Sequence, residues 1–385
     1  MFETSVIEIS ESALRSNLDY IRGYLGDTRL SCVVKGNAYG HGIEVLVPML
    51  LRADVDHISV FSADEALRVR RAALEIGSDP TVIIMGMLNA EQVDWAVQEG
   101  VEFFVFDLAR LDQASTAAER HGKPARIHIE LETGMNRTGF TRADLPAAAE
   151  RINAHPERFH VEGLCTHFAG AESIANHLRI RTQLKAFANG ERWLQRRGIE
   201  AKVRHVACSA ASIRYPASRM DLVRVGILQY GFWPSREVLV SSISKLPQPL
   251  DPLKRVLKWR SEVMSTKRVR HGEFIGYGTT YLAEQDMDVA AVPVGYSHGF
   301  SRALSNQGRV LLHGQRVSVI GMVNMNMLLV DTSQLEGVAP GDEVVLIGDQ
   351  GELSLTVASF GEWSNQLNYE LLTRLPDSIP RVAVN

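Results

Sequence analysis

The chain has 385 residues, 45% hydrophobic and 22% charged, which suffices for two domains with full-sized cores and argues against widespread disorder. Its 45 acidic and 41 basic residues give a formal net charge of -4, so the chain offers no basic stripe for nucleic acid. No apolar run reaches the roughly 18 residues of a membrane span, and the first ten residues do not resemble a signal peptide, so we expect a cytoplasmic protein without a membrane partner.

Up to about residue 235, short β-rich runs alternate with helical patterns. The first helix is predicted from Leu14, Leu18, Ile21 and Leu25, which follow the capping candidate Ser10 at helical spacing. Eight β runs, each followed by a helical or turn segment, favour an α/β fold with an N-terminal (β/α)8 TIM-like barrel, with an open parallel sheet as the alternative. The predicted strands are 30–34, 57–61, 81–85, 102–106, 126–131, 161–166, 203–207 and 223–228.

Beyond about residue 240 the pattern changes to period-two or apolar runs separated by turn signals, which predicts a C-terminal, mostly β domain. We therefore expect a barrel at 1–240 and a β domain at 241–385, with the proline-rich segment 247–252 as the linker. The predicted strands of the second domain are 288–294, 309–312, 317–320, 327–330 and 343–347.

Lys35 is the leading candidate for chemistry because it directly follows the first buried barrel run. In a parallel barrel the reactive groups lie where strands end, and the small residues after Lys35 let a ligand approach the backbone. A partly desolvated lysine there is a nucleophile suited to bonding an aldehyde cofactor. From spacing alone, the equal alternative is a lysine that merely extends out of the barrel mouth.

The segment that contains Lys35 resembles a known cofactor signature. Its sequence, Val-Lys-Gly-Asn-Ala-Tyr-Gly-His-Gly, is similar to the pyridoxal-phosphate motif of alanine racemases, and the order of barrel and β domain matches along nearly the whole chain. The resemblance implies a racemase of free amino acids in which Lys35 carries pyridoxal 5'-phosphate and Tyr39 contacts its phosphate.

The last two barrel strands supply the other expected cofactor contacts. The resemblance implies that Ser209, Gly226 and Ile227 bind the phosphate, although a serine after a strand is more commonly a helix N-cap. It also implies that Arg224 faces the pyridine nitrogen. A permanent cation there disfavours ring protonation and weakens the cofactor as an electron sink, which suits racemisation. We expect His205 to position Arg224, with a core histidine bonded to backbone as the alternative.

The segment 126–132 alternates so that His128, Glu130 and Glu132 share one face. Arg137 matches the family arginine that contacts the cofactor's phenolic oxygen and the substrate carboxylate. Many family members have a carbamylated lysine where this chain has Glu130, so the glutamate is expected to supply the negative charge that orients Arg137. The alternative for Glu130 is a plain ion pair at the barrel rim.

Racemisation needs proton transfer on both faces of the α-carbon, so a second group must oppose the lysine. By resemblance this group is Tyr277, supplied by the partner subunit of a homodimer with composite active sites. His167 matches the barrel histidine that tunes this tyrosine, and Met325 would offer its backbone to the substrate carboxylate. Without the resemblance, Tyr277 would be a turn or core tyrosine and Met325 a core methionine.

Some positions depart from the family pattern around the substrate entrance, notably His298, Asn324, Asn326 and Asp377. These changes leave open a racemase of another amino acid, such as serine, lysine or a broad range. A pyridoxal-phosphate decarboxylase and a non-catalytic cofactor carrier are further alternatives, which the matches at Arg224 and Tyr277 disfavour.

The three cysteines, Cys32, Cys165 and Cys208, are few and far apart, so we expect reduced thiols and no metal site.

Overall fold

The computed structural model describes residues 3–244, 250–357 and 368–385. The chain divides into two compact units: a barrel unit of residues 13–35 and 47–254, and a β unit of residues 1–12, 36–46 and 255–385. The sequence predicts contiguous domains, whereas the structure places two N-terminal segments in the β unit, including its first strand, β1 (Ser5–Ser10). Part of the predicted linker, residues 247–249, lies outside the described residues.

The barrel unit is built on parallel strands, and each of the eight predicted ones is confirmed. They are β2 (Arg29–Val33), β3 (His57–Val60), β4 (Thr81–Ile84), β5 (Glu102–Val105), β6 (Ala125–Glu130), β7 (Phe159–Cys165), β8 (Val203–His205) and β9 (Leu222–Val225). Their order is β8-β7-β6-β5-β4-β3-β2-β9. The backbone N–H of Arg224 donates to Ala207 O at 3.1 Å, and that of Asp221 donates to Arg204 O at 3.2 Å. These bonds join β9 to the β8 segment, so the barrel is nearly closed.

Helices alternate with the barrel strands and carry ordinary capping signals. Asn89 caps the helix Ala90–Glu99 by accepting from Gln92 N–H, and Gly100 ends it in the left-handed conformation. The first helix begins directly after Ser10 and buries its four predicted apolar residues. Among the described helices, none combines the length and the apolar character that crossing a membrane requires. The helices are α1 (Glu11–Leu25), α2 (Ile43–Arg52), α3 (Ala63–Leu74), α4 (Ala90–Glu99), α5 (Leu108–His121), α6 (Leu145–Ala154), α7 (His177–Gln195), α8 (Ser209–Arg214), α9 (Arg236–Ile243) and α10 (Asn368–Thr373).

The β unit contains one large sheet in addition to the short α10. Besides β1, its described strands are β10 (Leu257–Glu262), β11 (Ser265–Val269), β12 (Met287–Val292), β13 (Arg309–Leu312), β14 (Gln315–Ile320), β15 (Leu328–Asp331), β16 (Glu343–Gln350), β17 (Leu353–Leu355) and β18 (Arg381–Val384). The order is β11-β12-β15-β14-β13-β16-β10-β1-β18, with β17 paired to β16. The antiparallel pairing of β1 with β10, with Ile7 opposite Trp259, places β1 in this sheet.

Candidate active site

Lys35 lies two residues beyond the end of β2, at the rim where the carboxyl ends of the parallel strands meet. Lys35 is exposed to solvent, yet desolvation by the surrounding protein and the charges of Arg137 and Arg224 lower the pKa of its ammonium, against the opposite influence of Glu65. A lower pKa increases the fraction of neutral amine, which is the nucleophilic form. This environment favours a reactive lysine over one that simply extends into water.

The residues after Lys35 form a left-handed helical turn that the sequence does not predict. The φ/ψ values are 63°/47° at Gly36, 51°/51° at Asn37 and 55°/46° at Ala38, and Tyr39 has a φ of 53°. A left-handed conformation costs a non-glycine residue about 1–2 kcal/mol, so contacts with the rest of the fold must hold the turn in place. A hydrogen bond of 3.0 Å from Gly40 N–H to Gly36 O closes it.

The C-terminal segment of the β unit provides those contacts. Arg381 donates to Gly40 O from Nε at 3.1 Å and from Nη2 at 3.0 Å. A side chain at Gly40 has no room, because a Cβ would lie 1.9 Å from Leu372 O. Asn37 Nδ2 donates to Asp377 Oδ1 at 2.6 Å, so Asp377 helps to hold the turn and is not merely a solvated loop residue.

Tyr39 packs near Tyr369, with ring centroids 6.0 Å apart in a tilted arrangement. Sequence reasoning singled out Tyr39 and missed Tyr369, which lies on the short α10 beyond an undescribed segment. Only the placement of α10 against the turn reveals the pair.

Ser209 and the start of the turn after β9 form a small polar cradle in the barrel unit. Gly226 N–H donates to Ser209 Oγ at 3.0 Å, and Ile227 begins a 3-10 turn. Among the described residues, the N–H of Ile227 has no hydrogen-bond partner. The N-cap of α8 is Cys208, so the helix N-cap alternative for Ser209 is wrong. A hydroxyl beside an unpaired backbone amide fits a phosphate group.

Arg224 is buried in the barrel with only 4% of its surface exposed. Its Nη1 donates to His205 Nδ1 and, at 2.6 Å, to His205 O, while Nη2 donates to Thr166 O at 2.9 Å. Within the described part of the chain, no carboxylate oxygen lies within 4.0 Å of the guanidinium, so its side-chain partners are neutral acceptors. Arg224 therefore does not form a surface salt bridge.

Glu130 is buried and one of its carboxylate oxygens, Oε2, has no hydrogen-bond partner. Burial raises the pKa of this carboxyl, and a hydrogen bond from Thr138 and the charges of Arg224 and Arg137 oppose that rise. Glu130 and Arg137 do not form an ion pair within 4.0 Å in the described structure, so neither direct orientation of Arg137 nor the rim ion pair is observed. Arg137 itself is exposed.

Burial, together with the charges of Arg224, Arg137 and Lys35, lowers the pKa of His167 to about 3. The imidazole is therefore neutral near pH 7 and can accept a hydrogen bond.

Tyr277 and Met325 lie in the β unit and are both exposed, with 74% and 56% of their surfaces accessible. Gly276 and Gly278 flank the tyrosine with φ values of 79° and 71°, so the loop that presents it needs both glycines. The carbonyl of Met325 accepts from Ser297 N–H at 3.0 Å, whereas its own N–H has no partner among the described residues. A core role for either side chain is wrong.

Three of the positions that depart from the racemase pattern, His298, Asn324 and Asn326, lie in two loops of the β unit that contact each other. Asn326 Nδ2 donates to Ser297 Oγ at 3.1 Å, Gly295 N–H donates to His298 Nδ1 at 3.1 Å, and Asn324 O accepts from a backbone N–H at 3.0 Å. The bonds of Asn326 and Asn324 tie loop 295–299 to loop 324–326, which carries Met325, and the bond of His298 lies within loop 295–299.

Comparison with known proteins decides the family. A profile of the alanine racemase N-terminal domain matches residues 9–234, and one of the alanine racemase C-terminal domain matches residues 256–383. The chain belongs to the alanine racemase family. It is 32% identical to the alanine racemase of Leptospira interrogans over 99% of this chain and 96% of the relative, and 33% identical to that of Desulforamulus reducens over 98% of both.

Solved structures of alanine racemases share the fold. The enzyme from D-cycloserine-producing Streptomyces lavendulae superposes with a TM-score of 0.90 at 29% identity, over 100% of this chain and 98% of that one. The enzyme from Bartonella henselae, which holds covalently bound pyridoxal phosphate, superposes with a TM-score of 0.83 at 24% identity, over 99% of both chains. The predicted barrel and β domain are thus confirmed, and the family depends on pyridoxal phosphate.

The described residues contain no group of three or more histidine, cysteine or acidic side chains arranged to hold a metal ion. The three cysteines are free thiols.

Proposed function

We propose that this alanine racemase family member interconverts L- and D-alanine with pyridoxal 5'-phosphate bound covalently to Lys35. The main observation behind this proposal is the environment of Lys35, an amine with a lowered pKa at the carboxyl end of β2. The same unit contains the cradle of Ser209 and Ile227 and the buried Arg224. These groups fit an aldehyde, a phosphate and a ring nitrogen respectively. When bound, the cofactor withdraws electrons from the substrate α-carbon and so acidifies its proton.

The protein groups then divide the work. The freed Lys35 amine transfers the proton on the D side of the α-carbon, and the Tyr277 hydroxyl transfers it on the L side. Arg137 and the N–H of Met325 bind the substrate carboxylate, and the neutral His167 accepts a hydrogen bond from Tyr277. Arg224 keeps its charge toward the ring nitrogen and limits how strongly the cofactor stabilises negative charge, which favours rapid return of the proton.

We infer that the enzyme is a homodimer in which Tyr277 serves the site of the partner subunit. The support is the exposure of Tyr277 and Met325 on the β unit, since an uncovered acid–base tyrosine would be bathed in water. A location in the cytoplasm stays a prediction from the sequence.

The direct test is proton exchange at the α-carbon. Purified enzyme with bound cofactor is incubated in deuterium oxide with single L-amino acids, and enantiomers and α-deuterium are measured. We expect L-alanine to give D-alanine carrying deuterium, and Lys35→Ala to give neither product. Preferred turnover of serine or lysine would overturn the substrate assignment, and carbon dioxide release without D-amino acid would overturn the reaction.

A further inference from the structure

A chain of buried polar side chains starts at Arg224 and runs through the barrel to the first residue of β5. Arg224 Nη1 bonds to His205 Nδ1, His205 Nε2 lies 2.8 Å from His128 Nδ1, and His128 Nε2 lies 2.7 Å from Glu102 Oε2. The two histidines are fully buried and Glu102 is 4% exposed. Sequence reasoning placed His205 beside Arg224 and His128 on one face of its strand, but it did not connect the two histidines.

Hydrogen-bond counting fixes the proton positions along this chain. A guanidinium only donates, so His205 Nδ1 must accept from Arg224 and the imidazole proton lies on Nε2. That N–H donates to His128 Nδ1, which leaves the His128 proton on Nε2 to donate to Glu102. Burial and the charge of Arg224 lower the pKa of His205 well below its ordinary value, which keeps its imidazole neutral.

The far end of the chain is held as a carboxylate. Although burial opposes ionisation, the hydrogen bond from His128 and the charge of Arg126 keep the pKa of Glu102 below its ordinary value. Arg126 Nη2 lies 2.5 Å from Glu102 Oε1, and its Nε donates to Glu162 Oε1 at 3.0 Å. An ionised Glu102 is a strong acceptor, so it fixes the direction of every bond between it and Arg224.

The barrel leaves room for the contact between His128 and His205. His128 on β6 and His205 on β8 reach each other across β7, where Gly163 lies opposite His128. A Cβ at Gly163 would lie 2.0 Å from His128 Nδ1 and 2.8 Å from His205 Nε2. The φ of Gly163 lies outside the left-handed region, so its backbone conformation does not require glycine. Glycine is required because a side chain there would collide with the two histidines. Phe104 on β5 covers both imidazoles, with ring centroids 6.0 and 5.7 Å away.

We propose that Glu102 and His128 are positioning residues that act through His205 to keep Arg224 aimed at the bound cofactor. Each imidazole N–H in this hydrogen-bonded series points away from Arg224 and towards Glu102. His205 therefore presents only a lone pair to the guanidinium. Without the acceptor at His128, the buried His205 Nε2–H loses its partner, and the imidazole regains one only by turning, which moves Nδ1 away from Arg224. The tautomer assignment depends only on residues of this protein, whereas the effect on the cofactor rests on the proposed function.

The test of the tautomers is ¹⁵N NMR of the cofactor-loaded enzyme labelled at histidine, with His205 assigned by the resonance lost in His205→Asn. We expect an unprotonated Nδ1 and a protonated Nε2. His128→Leu should shift the Nδ1 and Nε2 resonances of His205 from their values in the unaltered enzyme, whereas His128→Asn, whose carbonyl can accept from His205, should restore them. A protonated Nδ1 in the unaltered enzyme overturns the proposal.

The second readout is the absorbance spectrum of the bound cofactor together with kcat. His128→Leu and Gly163→Ala, which keeps every polar group, should alter the spectrum and lower kcat at least about tenfold, since small displacements of a positioned group are costly. The matched control is His57→Leu, because His57 is equally buried in the barrel but bonds to Ser31 at 2.8 Å. It should leave the His205 resonances and the spectrum unchanged.

The proposal fails if His128→Leu and Gly163→Ala match His57→Leu in the His205 resonances, the spectrum and kcat. Absence of cofactor on Lys35 would instead refute the proposed function, and the histidine resonances would still decide the tautomers.

Discussion

Among single residues, Tyr277 carries the most specific chemical role. Tyr277→Phe removes one hydroxyl from an exposed side chain, so the fold and the bond between cofactor and Lys35 should persist. Loss of an acid–base group lowers rates by about 10²–10⁴-fold, and kcat for alanine should fall within that range. Tyr281→Phe is the matched control, because Tyr281 packs against the core of the β unit and should retain kcat to within about twofold.

Mixing inactive variants extends the same prediction to the dimer. If Tyr277 serves the partner's site, a reassembled mixture of Lys35→Ala and Tyr277→Phe subunits contains hybrid dimers with one intact site each, and recovers about a quarter of normal activity. No recovery, despite subunit exchange shown by mass spectrometry, would place Tyr277 in the site of its own chain. Normal turnover by Tyr277→Phe alone would eliminate the two-group mechanism.

Residue roles were predictable from the sequence where a side chain follows directly on a strand or matches the family pattern, as for Lys35 and Arg224. The sequence did not predict the contacts that involve Glu102, His128 and Gly163. These contacts depend on the register of three neighbouring strands. A register shift between β6 and β7 at Ile127 and His128 adds a local irregularity that no periodic pattern reveals.

At the scale of elements, the left-handed turn after Lys35 depends on close contact with the C-terminal segment. Gly40→Ala introduces a Cβ 1.9 Å from Leu372 O at a φ of 79°, so it should release the turn and reduce cofactor retention sharply. Gly26→Ala is the control, because Gly26 has a similar φ of 62° but nothing within 4 Å of a Cβ. It should cost only about 1–2 kcal/mol of stability.

Cofactor retention is measured by dialysis followed by absorbance, and stability by urea denaturation. Equal behaviour of the two alanine variants would show that the contact with Leu372 does not hold the turn.

The prediction of secondary structure succeeded in the barrel because its buried runs recur regularly. It missed five strands of the β unit, which are β1, β10, β11, β17 and β18. In β10, buried Leu257 and Trp259 alternate with charged Lys258 and Arg260, a period-two pattern partly hidden by its high charge. The edge strand β11 is mostly exposed and offers little apolar signal. β1 pairs with a strand some 250 residues away, a distance that local pattern does not bridge.

For the whole molecule, buried histidines should make stability depend on pH. Burial lowers the pKa of His57 and His167 to about 3 and that of His41 to about 4. It also lowers the pKa of His205 well below its ordinary value. The unfolded chain therefore binds more protons below about pH 6.5, and the free energy of unfolding falls as the pH drops from 7 towards 4.5. Glu130, whose pKa is raised, opposes this trend with a single group.

Each such histidine contributes up to about 1.4 kcal/mol per pH unit in this window. The urea midpoint should thus be lower at pH 5 than at pH 7.5, and His57→Leu should flatten the dependence by one proton. A midpoint that is unchanged or higher at pH 5 would mean that these histidines are charged in the folded state.

The whole account depends on Lys35 as the residue that binds the cofactor, and borohydride reduction with peptide mapping tests it most directly. The enzyme is purified with pyridoxal phosphate, reduced, digested and analysed by mass spectrometry. The account predicts a single reduced phosphopyridoxyl adduct on the peptide that contains Lys35, and none in Lys35→Ala. An adduct on a different lysine, or no adduct in enzyme that racemises alanine, would contradict it.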